Sequence, residues 1–236
     1  MENFTSTFGN SAANAMPADR AQFIRRTYML LAAAIGAFIL VEAFLFASGG
    51  AYAIANVIFA SGGIGWLMVL GLFMLVSFIA NKWAVSETST AIQYLGLGIY
   101  VIAEAIIFVP LLFLAMYYAN ESAVILKAGI VTLGLFLGIT ATVFLTRSDF
   151  SFLGPILSIG GFAALGFIVA SILFGFTLGS VFAFVMVAFA GTAILYQTSN
   201  VLHRFRTDQH VAAAMVLFAS VALLFWYILR IFTSRR

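Results

Sequence analysis

Seven long apolar stretches dominate this sequence, and each is long enough to cross a lipid bilayer as a helix. A hydrocarbon core of about 30 Å requires roughly 20 helical residues. Only 8% of the 236 residues are charged and 64% are hydrophobic, which excludes a water-facing surface of ordinary composition. The sequence therefore predicts an all-α integral membrane protein with seven spans, at Thr27–Ala47, Ile64–Ala80, Ala91–Tyr117, Ala123–Leu145, Phe152–Phe174, Thr177–Tyr196 and Val211–Phe232.

The connections between these stretches are short, which leaves no room for a second folded domain. Residues 1–22 are small and polar at their start and are predicted to form a flexible cytoplasmic tail. Residues 23–236 are predicted to form a single seven-helix transmembrane domain, with six helices around the apolar C-terminal one. Residues 48–63 (SGGAYAIANVIFASGG) have Gly and Ser at both ends and are predicted to be a connection.

The positions of Lys and Arg predict how the bundle is oriented, because cytoplasmic loops of membrane proteins are enriched in them. If the N-terminus is cytoplasmic, one side collects Arg20, Arg25, Arg26, Lys82, Arg147, Arg204 and Arg206. The opposite loops contain Lys127, and three arginines near the C-terminus (Arg230, Arg235 and Arg236) oppose the rule. We expect the N-terminus inside and the C-terminus outside.

The sequence offers little for catalysis, metal binding or nucleic-acid binding. A formal charge of +3, dispersed along the chain, does not indicate a nucleic-acid partner. The lack of cysteine excludes thiolate ligands and cysteine nucleophiles, and neither a GxSxG nor an HExxH motif occurs. His203 and His210 flank a turn whose arginines oppose a divalent cation. We predict a protein that is not an enzyme and has no cofactor and no metal site.

Glu104 is an acidic residue in the middle of the predicted span Ala91–Tyr117. A charged side chain at the bilayer centre costs about 2.5–3.5 kcal/mol on insertion scales. We therefore expect a protonated or hydrogen-bonded carboxyl that faces the bundle interior. Two roles remain open: a relay for protons or cations, or a neutral side chain packed against a hydroxyl or a backbone carbonyl. Pro110 follows in the same span and frees a carbonyl near Ile106.

Two other features of the spans have simpler interpretations. Glu42 lies late in the first span, where its side chain is expected to reach the water of the outer headgroup region. Gly134 and Gly138 form a GxxxG motif in the fourth span, which is predicted to allow close packing with a neighbouring helix of the same bundle.

Three segments resemble parts of one known family. Residues 23–35 (FIRRTYMLLAAAI) are similar to the start of its first span. Residues 146–157 (TRSDFSFLGPIL) resemble its connection between the fourth and fifth spans, with Arg147, Asp149 and Gly154 as motif residues. The segment that begins ILYQTSNVLHRFRTDQH resembles its C-terminal hairpin and includes Thr198, Asn200 and His203. The chain thus resembles the seven-span Bax inhibitor-1 family from about residue 23 to residue 232.

The resemblance implies a pair of aspartates that senses pH and that the family uses in calcium leak. This chain has Gln197 at the first of these positions and Ser220 at the second. Neither side chain titrates, so the mechanism does not transfer at these positions. Glu104 matches a glutamate in the third span of many members, so proton coupling at that position stays open.

The sequence is most similar to the bacterial YccA-like branch, in which an ETSN stretch is followed by a histidine. Gln197 departs from that branch, which has a carboxylate there. The branch is associated with FtsH, a membrane-anchored AAA+ protease, as a substrate and modulator. The resemblance implies a non-enzymatic inner-membrane protein that binds and modulates FtsH together with its membrane cofactors. We further expect that the protease engages the tail of residues 1–19 and processes the bundle slowly. The alternative is a pH-dependent calcium or proton leak in which Glu104 is the titrating group.

Overall fold

Every predicted span forms one continuous helix, because a backbone in lipid must make its hydrogen bonds within itself. The computed structural model describes residues 11–85, 89–117 and 123–234. In these ranges the helices are α1 (Pro17–Ala47), α2 (Gly50–Ala60), α3 (Gly62–Ala84), α4 (Thr90–Tyr117), α5 (Ala123–Thr146), α6 (Leu153–Phe174), α7 (Gly179–His203) and α8 (His210–Ser234). All except α2 are long and apolar enough to cross a membrane, which confirms the seven predicted spans.

Helix α2 was wrongly predicted as a connection. Gly49 and Gly62 adopt positive φ values of 78° and 60°, which glycine tolerates, and the chain turns sharply at both ends of α2. Between them Ala51, Ala55 and Ile58 recur on one face and are buried, mainly against α4 and α3. The flanking Gly and Ser concealed this helical spacing. A helix of 11 residues is too short to span a bilayer.

Helix α8 is the centre of the bundle, as predicted. Most of it is buried, and it packs against α1, α3, α4, α5 and α7. Phe108 of α4 stacks on Phe225 with ring centroids 5.7 Å apart and meets the Trp226 ring edge-on at 5.0 Å. Helix α6 lies at the periphery, mainly against α7 and α3, and has no buried residue.

The bundle has two ends with different contacts, which we call proximal and distal. The proximal end contains the start of α1, the α5–α6 connection and the α7–α8 turn, and there the Tyr94 hydroxyl lies 3.2 Å from Nε2 of His210. The distal end contains α2, the α6–α7 connection and the end of α8. There Trp66 meets Trp226 edge-on at 6.4 Å. The seven basic residues predicted to share one side are all proximal.

The N-terminal segment differs from the predicted flexible tail over residues 11–22. Helix α1 already begins at Pro17. Before it, Ala12 is fully buried and its N–H donates a hydrogen bond of 2.8 Å to the Phe205 carbonyl. Arg20 donates to the Leu202 carbonyl at 3.4 Å. This segment is fixed to the α7–α8 turn through backbone groups, which a hydrophobic pattern cannot reveal. Residues 1–10 lie outside the described residues.

The GxxxG motif does not pack against another helix, contrary to the prediction. A Cβ added to Gly134 or Gly138 would have no neighbour within 4 Å, so both glycines face outward. The closest glycine-dependent helix contact lies elsewhere. At Gly96 of α4 an added Cβ would be 2.7 Å from the Ala80 carbonyl oxygen and 3.0 Å from Trp83 Cβ, so α3 and α4 approach closely here.

Replacing Gly96 with alanine is expected to destabilise the bundle, because the new methyl group would overlap the backbone of α3. Overpacking of this kind costs about 1–3 kcal/mol. Gly98 of the same helix has open space around it, so Gly98→Ala is expected to be neutral or stabilising by up to about 1 kcal/mol. Thermal unfolding of both variants in one detergent measures the difference. Equal melting temperatures would contradict a tight α3–α4 contact.

Candidate functional site

The polar end of α7 is fastened to the α5–α6 connection. The Phe150 N–H donates to the Ser199 hydroxyl at 2.9 Å, and that hydroxyl donates to the Ser148 carbonyl at 3.4 Å. One turn before Ser199, the Tyr196 ring covers Gly154, where an added Cβ would lie 3.1 Å from the phenol oxygen. The segments 146–157 and 196–203, identified separately as motifs, therefore contact each other directly.

The α5–α6 connection is itself ordered by local interactions. Arg147 adopts a φ of 53°, the left-handed conformation in which many helices end. An oxygen of Asp149 accepts a hydrogen bond of 2.9 Å from the Ser151 N–H, as in other Asx turns. This bond lowers the pKa of Asp149, and the nearby charges of His203 and Arg204 lower it further. Arg147 and Asp149 thus shape a turn outside the membrane.

Asn200 and His203 terminate α7. The Asn200 carbonyl accepts hydrogen bonds from the N–H groups of Arg204 at 2.8 Å and Phe205 at 3.0 Å, so the last turn is closed by the backbone. Nδ1 of His203 lies 3.0 Å from the Ser199 carbonyl oxygen. These contacts give both motif residues a structural role in the α7–α8 turn.

Thr198 belongs to a small group of buried hydroxyls between α1, α5 and α7. Its side chain is fully buried and lies close to the hydroxyls of Tyr28 and Thr140. None of the three has a partner at good hydrogen-bond geometry among the described residues. In proteins such groups are commonly satisfied by ordered water.

The two positions of the family's aspartate pair contain neutral side chains with neutral partners. Gln197 accepts a hydrogen bond of 3.3 Å from the Asn200 amide. The Ser220 hydroxyl is buried and donates to the Val216 carbonyl of its own helix at 2.9 Å. Neither side chain titrates, so these two contacts do not depend on pH.

Glu104 is buried in the interior, with 6% of its surface exposed. The Tyr100 hydroxyl, one turn earlier on α4, lies within hydrogen-bonding reach of the carboxyl group. The other oxygen, Oε2, has no partner among the described residues. A buried polar atom without a partner is costly and rare in folded proteins, which makes this oxygen the natural contact for a proton or a ligand.

Glu104 lines a cavity of about 590 Å³ between α3, α4, α6 and α8, which is within the usual size range of ligand sites. The cavity extends to the α6–α7 connection at the distal end, and Arg230 lies in its distal part. Its walls are mostly aromatic and aliphatic; the aromatic residues are Trp66, Phe73, Phe108, Phe176, Trp226 and Tyr227. We call it the distal cavity.

A cluster of rings closes the bundle on the proximal side of Glu104. Tyr100 packs against Phe73 at 6.0 Å and against Phe218 at 6.1 Å, and Phe218 packs against Phe38 at 6.1 Å. Apart from Phe73, the residues of the distal cavity lie distal to these rings. The carboxyl group is therefore reached from the distal end and is separated from the proximal end.

Glu42 does not reach the headgroup region, contrary to the prediction. Only 6% of it is exposed, and neither carboxyl oxygen has a partner among the described residues. It lies one turn beyond Phe38, whose ring packs against Phe108 at 5.1 Å, so this face of α1 points inward. The prediction was based on the depth of Glu42 in the membrane and not on the side of α1 on which it lies. Leu31, Phe38 and Glu42 are spaced so that they share one side of the helix. Glu42 does not line the distal cavity.

The chain has relatives in bacteria, fungi and plants. Residues 20–236 match the family described as Inhibitor of apoptosis-promoting Bax1. An uncharacterized protein of Pseudomonas aeruginosa is 31% identical over 166 residues, 69% of either chain. Bax inhibitor 1 of Schizosaccharomyces pombe is 31% identical over 118 residues, 47% of this chain and 42% of that one. A BI1-like protein of Arabidopsis thaliana is 35% identical over 121 residues, 48% and 46% of the two chains.

Replacing Ser199 with alanine is expected to lower the free energy of unfolding by about 1 kcal/mol, because the Phe150 N–H loses its acceptor. The α5–α6 connection should also become more accessible to proteases. Ser158→Ala is the matched control, since that exposed hydroxyl bonds only to the Gly154 carbonyl of its own helix. Thermal unfolding and limited proteolysis measure both effects. Equal behaviour of the two variants would contradict the fastening role of Ser199.

Proposed function

Since the chain belongs to the Bax inhibitor-1 family, we propose that it is a multi-pass membrane protein that conducts a slow, pH-dependent leak of protons or calcium ions through the distal cavity. Glu104 is the titrating group. The observation that supports this proposal is the unpaired Oε2 of a buried carboxyl group at the inner end of a cavity that extends to the distal surface. Ionisable groups inside membrane bundles commonly mark such pathways.

The distribution of basic residues supports an orientation for this pathway. With the proximal end facing the cytoplasm, Glu104 faces the outside through the distal cavity in a bacterial inner membrane. A cation entering from outside passes Arg230, whose positive charge lowers the local concentration of cations. This favours a low flux over channel-like conduction.

Tyr100 connects the carboxyl group to the aromatic cluster that closes the proximal side. The hydroxyl of Tyr100 donates to a charged carboxylate more strongly than to a neutral acid. Protonation of Glu104 therefore weakens the contact that fixes the Tyr100 ring between Phe73 and Phe218. We infer that movement of this ring opens the path to the proximal end, so that pH acts through Glu104 where the family's aspartate pair is replaced.

The variant Glu104→Gln is expected to abolish the pH dependence of ion flux, because the amide is isosteric with the carboxyl group and does not titrate. Glu42→Gln removes another buried carboxyl group that lies outside the cavity, and it is expected to keep the wild-type response. Proteoliposomes with a pH or calcium indicator inside measure the flux across a range of external pH. A Glu104→Gln protein that leaks with the wild-type pH profile would refute the proposal.

We also propose, as a second function, that the protein binds the FtsH protease and its membrane cofactors as a slowly processed substrate, in line with its resemblance to the YccA-like branch. The position of the N-terminal segment favours this candidate. Ala12 is fixed to the α7–α8 turn at the proximal end, and residues 1–10 precede that contact. A protease that pulls on the N-terminus has to break this attachment before it can extract α1.

Deletion of residues 2–10 is expected to lengthen the half-life of the protein in cells that contain the protease, because the segment to be gripped is removed. A longer deletion to residue 19 is less informative, since it also removes Ala12 and the first residues of α1. Substitution of residues 2–10 by a Gly/Ser sequence of equal length separates the effect of length from that of sequence. Pulse–chase labelling gives the half-lives, and an unchanged half-life after deletion would count against this function.

A further inference from the structure

A second cavity lies at the proximal end, between the start of α1 and the first turns of α4 and α8. It has a volume of about 530 Å³ and is lined by Arg26, Met29, Leu30, Ala33, Thr90, Tyr94 and His210. We call it the proximal cavity. Its polar groups are a guanidinium, an imidazole, a phenol and an aliphatic hydroxyl, with no carboxylate among its lining residues. It is separate from the distal cavity and takes no part in the proposed leak.

The polar side chains of the proximal cavity are arranged in one group. The Tyr94 hydroxyl lies 3.2 Å from Nε2 of His210, and the two rings meet edge-on at 6.1 Å. Arg26 is close enough to His210 for their charges to interact. Two positively polarised side chains and two hydroxyls around one space suit an anion with several oxygen atoms, which Arg recognises especially well.

Asp208, two residues before His210, is paired with an arginine of the α7–α8 turn. Asp208 accepts from Nε and from a terminal nitrogen of Arg206, at 3.1 Å and 2.7 Å. This pairing lowers the pKa of Asp208. Burial and the charge of Arg26 lower the pKa of His210, so the positive charge of the cavity comes mainly from Arg26. The first turns of α4 and α8 add partial positive charge from their helix dipoles.

The position of the cavity in the membrane indicates where the anion comes from. Arg26, Thr90 and His210 each immediately precede a predicted span, so they lie at the boundary between water and hydrocarbon. Met29, Leu30 and Ala33 continue along α1, and seven residues of helix cover about 10 Å. An anionic site at the interface thus continues into an apolar wall that points toward the bilayer centre. A soluble phosphate would contact only the polar part of the cavity and not its apolar wall.

We propose that the proximal cavity binds an anionic phospholipid, with its headgroup phosphate at Arg26, His210, Tyr94 and Thr90 and the upper part of an acyl chain along Met29, Leu30 and Ala33. The bilayer supplies this ligand, and charge complementarity together with the apolar wall selects it. Because α1, α4 and α8 all border the cavity, a bound lipid contacts the three helices at once and stabilises their packing.

Arg25 offers a matched control for Arg26, because it is the adjacent residue, carries the same charge and is not part of the cavity lining. Native mass spectrometry of the full chain, titrated with phosphatidylglycerol or with phosphatidylcholine, measures binding. Wild type is expected to bind phosphatidylglycerol at least about tenfold more tightly than phosphatidylcholine. Arg26→Gln should lose about tenfold in affinity for phosphatidylglycerol, the size expected for one charge-assisted contact, while Arg25→Gln should stay within about twofold of wild type.

Ala33→Phe tests the apolar half without changing any charge. It places a ring on the apolar wall of the cavity and should weaken phosphatidylglycerol binding, whereas Ala32→Phe, at a neighbouring exposed position outside the lining, should not. Equal losses in Arg26→Gln and Arg25→Gln, equal binding of the two lipids, or unchanged binding in Ala33→Phe would each overturn the proposal. Displacement of the lipid by millimolar inorganic phosphate would identify a soluble anion as the ligand and would also overturn it.

Discussion

The packing of five helices around α8 determines the rest of this structure, and the sizes of the α8 side chains determine that packing. Its proximal half contains the small residues Ala212, Ala213 and Ala214, all buried, which let neighbouring helices approach closely, as small residues do in membranes. Its distal half contains Phe225, Trp226 and Tyr227, and the last two line the distal cavity. The distal cavity lies where the large side chains are, beside Glu104. Small side chains are thus concentrated in the proximal part of α8, and large rings lie in its distal part beside the distal cavity.

The polar run at the end of α7 is explained by this arrangement. Apolar helices can slide and rotate against each other, because dispersion contacts have little direction. Hydrogen bonds, in contrast, are directional. At the proximal end, those of Ser199 and of the Asn200 carbonyl hold the α5–α6 connection and the α7–α8 turn in place. The neutral side chains of Gln197 and Ser220 make hydrogen bonds within their own helices. Glu104, the titrating group of the proposed leak, lies in a different layer of the bundle.

The sequence was sufficient for those parts of the fold that depend on local properties. The length and apolar character of each span predicted seven helices, and the C-terminal stretch was expected to lie at their centre. Helix α2 was missed because glycines and serines at its ends concealed three buried positions. The outward position of Gly134 and the inward position of Glu42 depend on how each helix is rotated, which neither depth nor a short motif determines.

The candidate site was predictable only in part, because it depends on how the helices are rotated and packed together. A carboxyl group at mid-membrane depth drew attention to Glu104 before its surroundings were known. The distal cavity, however, combines side chains from four helices far apart in sequence, and the proximal cavity combines Arg26, Tyr94 and His210 from three. The contact between Tyr196 and Gly154 likewise joins two motifs whose relation becomes visible only in three dimensions.

The attachment of the N-terminal segment also constrains the order in which this protein is made. The bond between Arg20 and Leu202 links residues 182 positions apart, and the bond from Ala12 to Phe205 reaches the same turn. Helices enter the membrane during synthesis from the N-terminus onward, so both bonds must wait until α7 has been translated and inserted. Residues 11–20 thus make these contacts only after most of the bundle has been synthesised. A chain arrested before the end of α7 would present this segment without its native contacts.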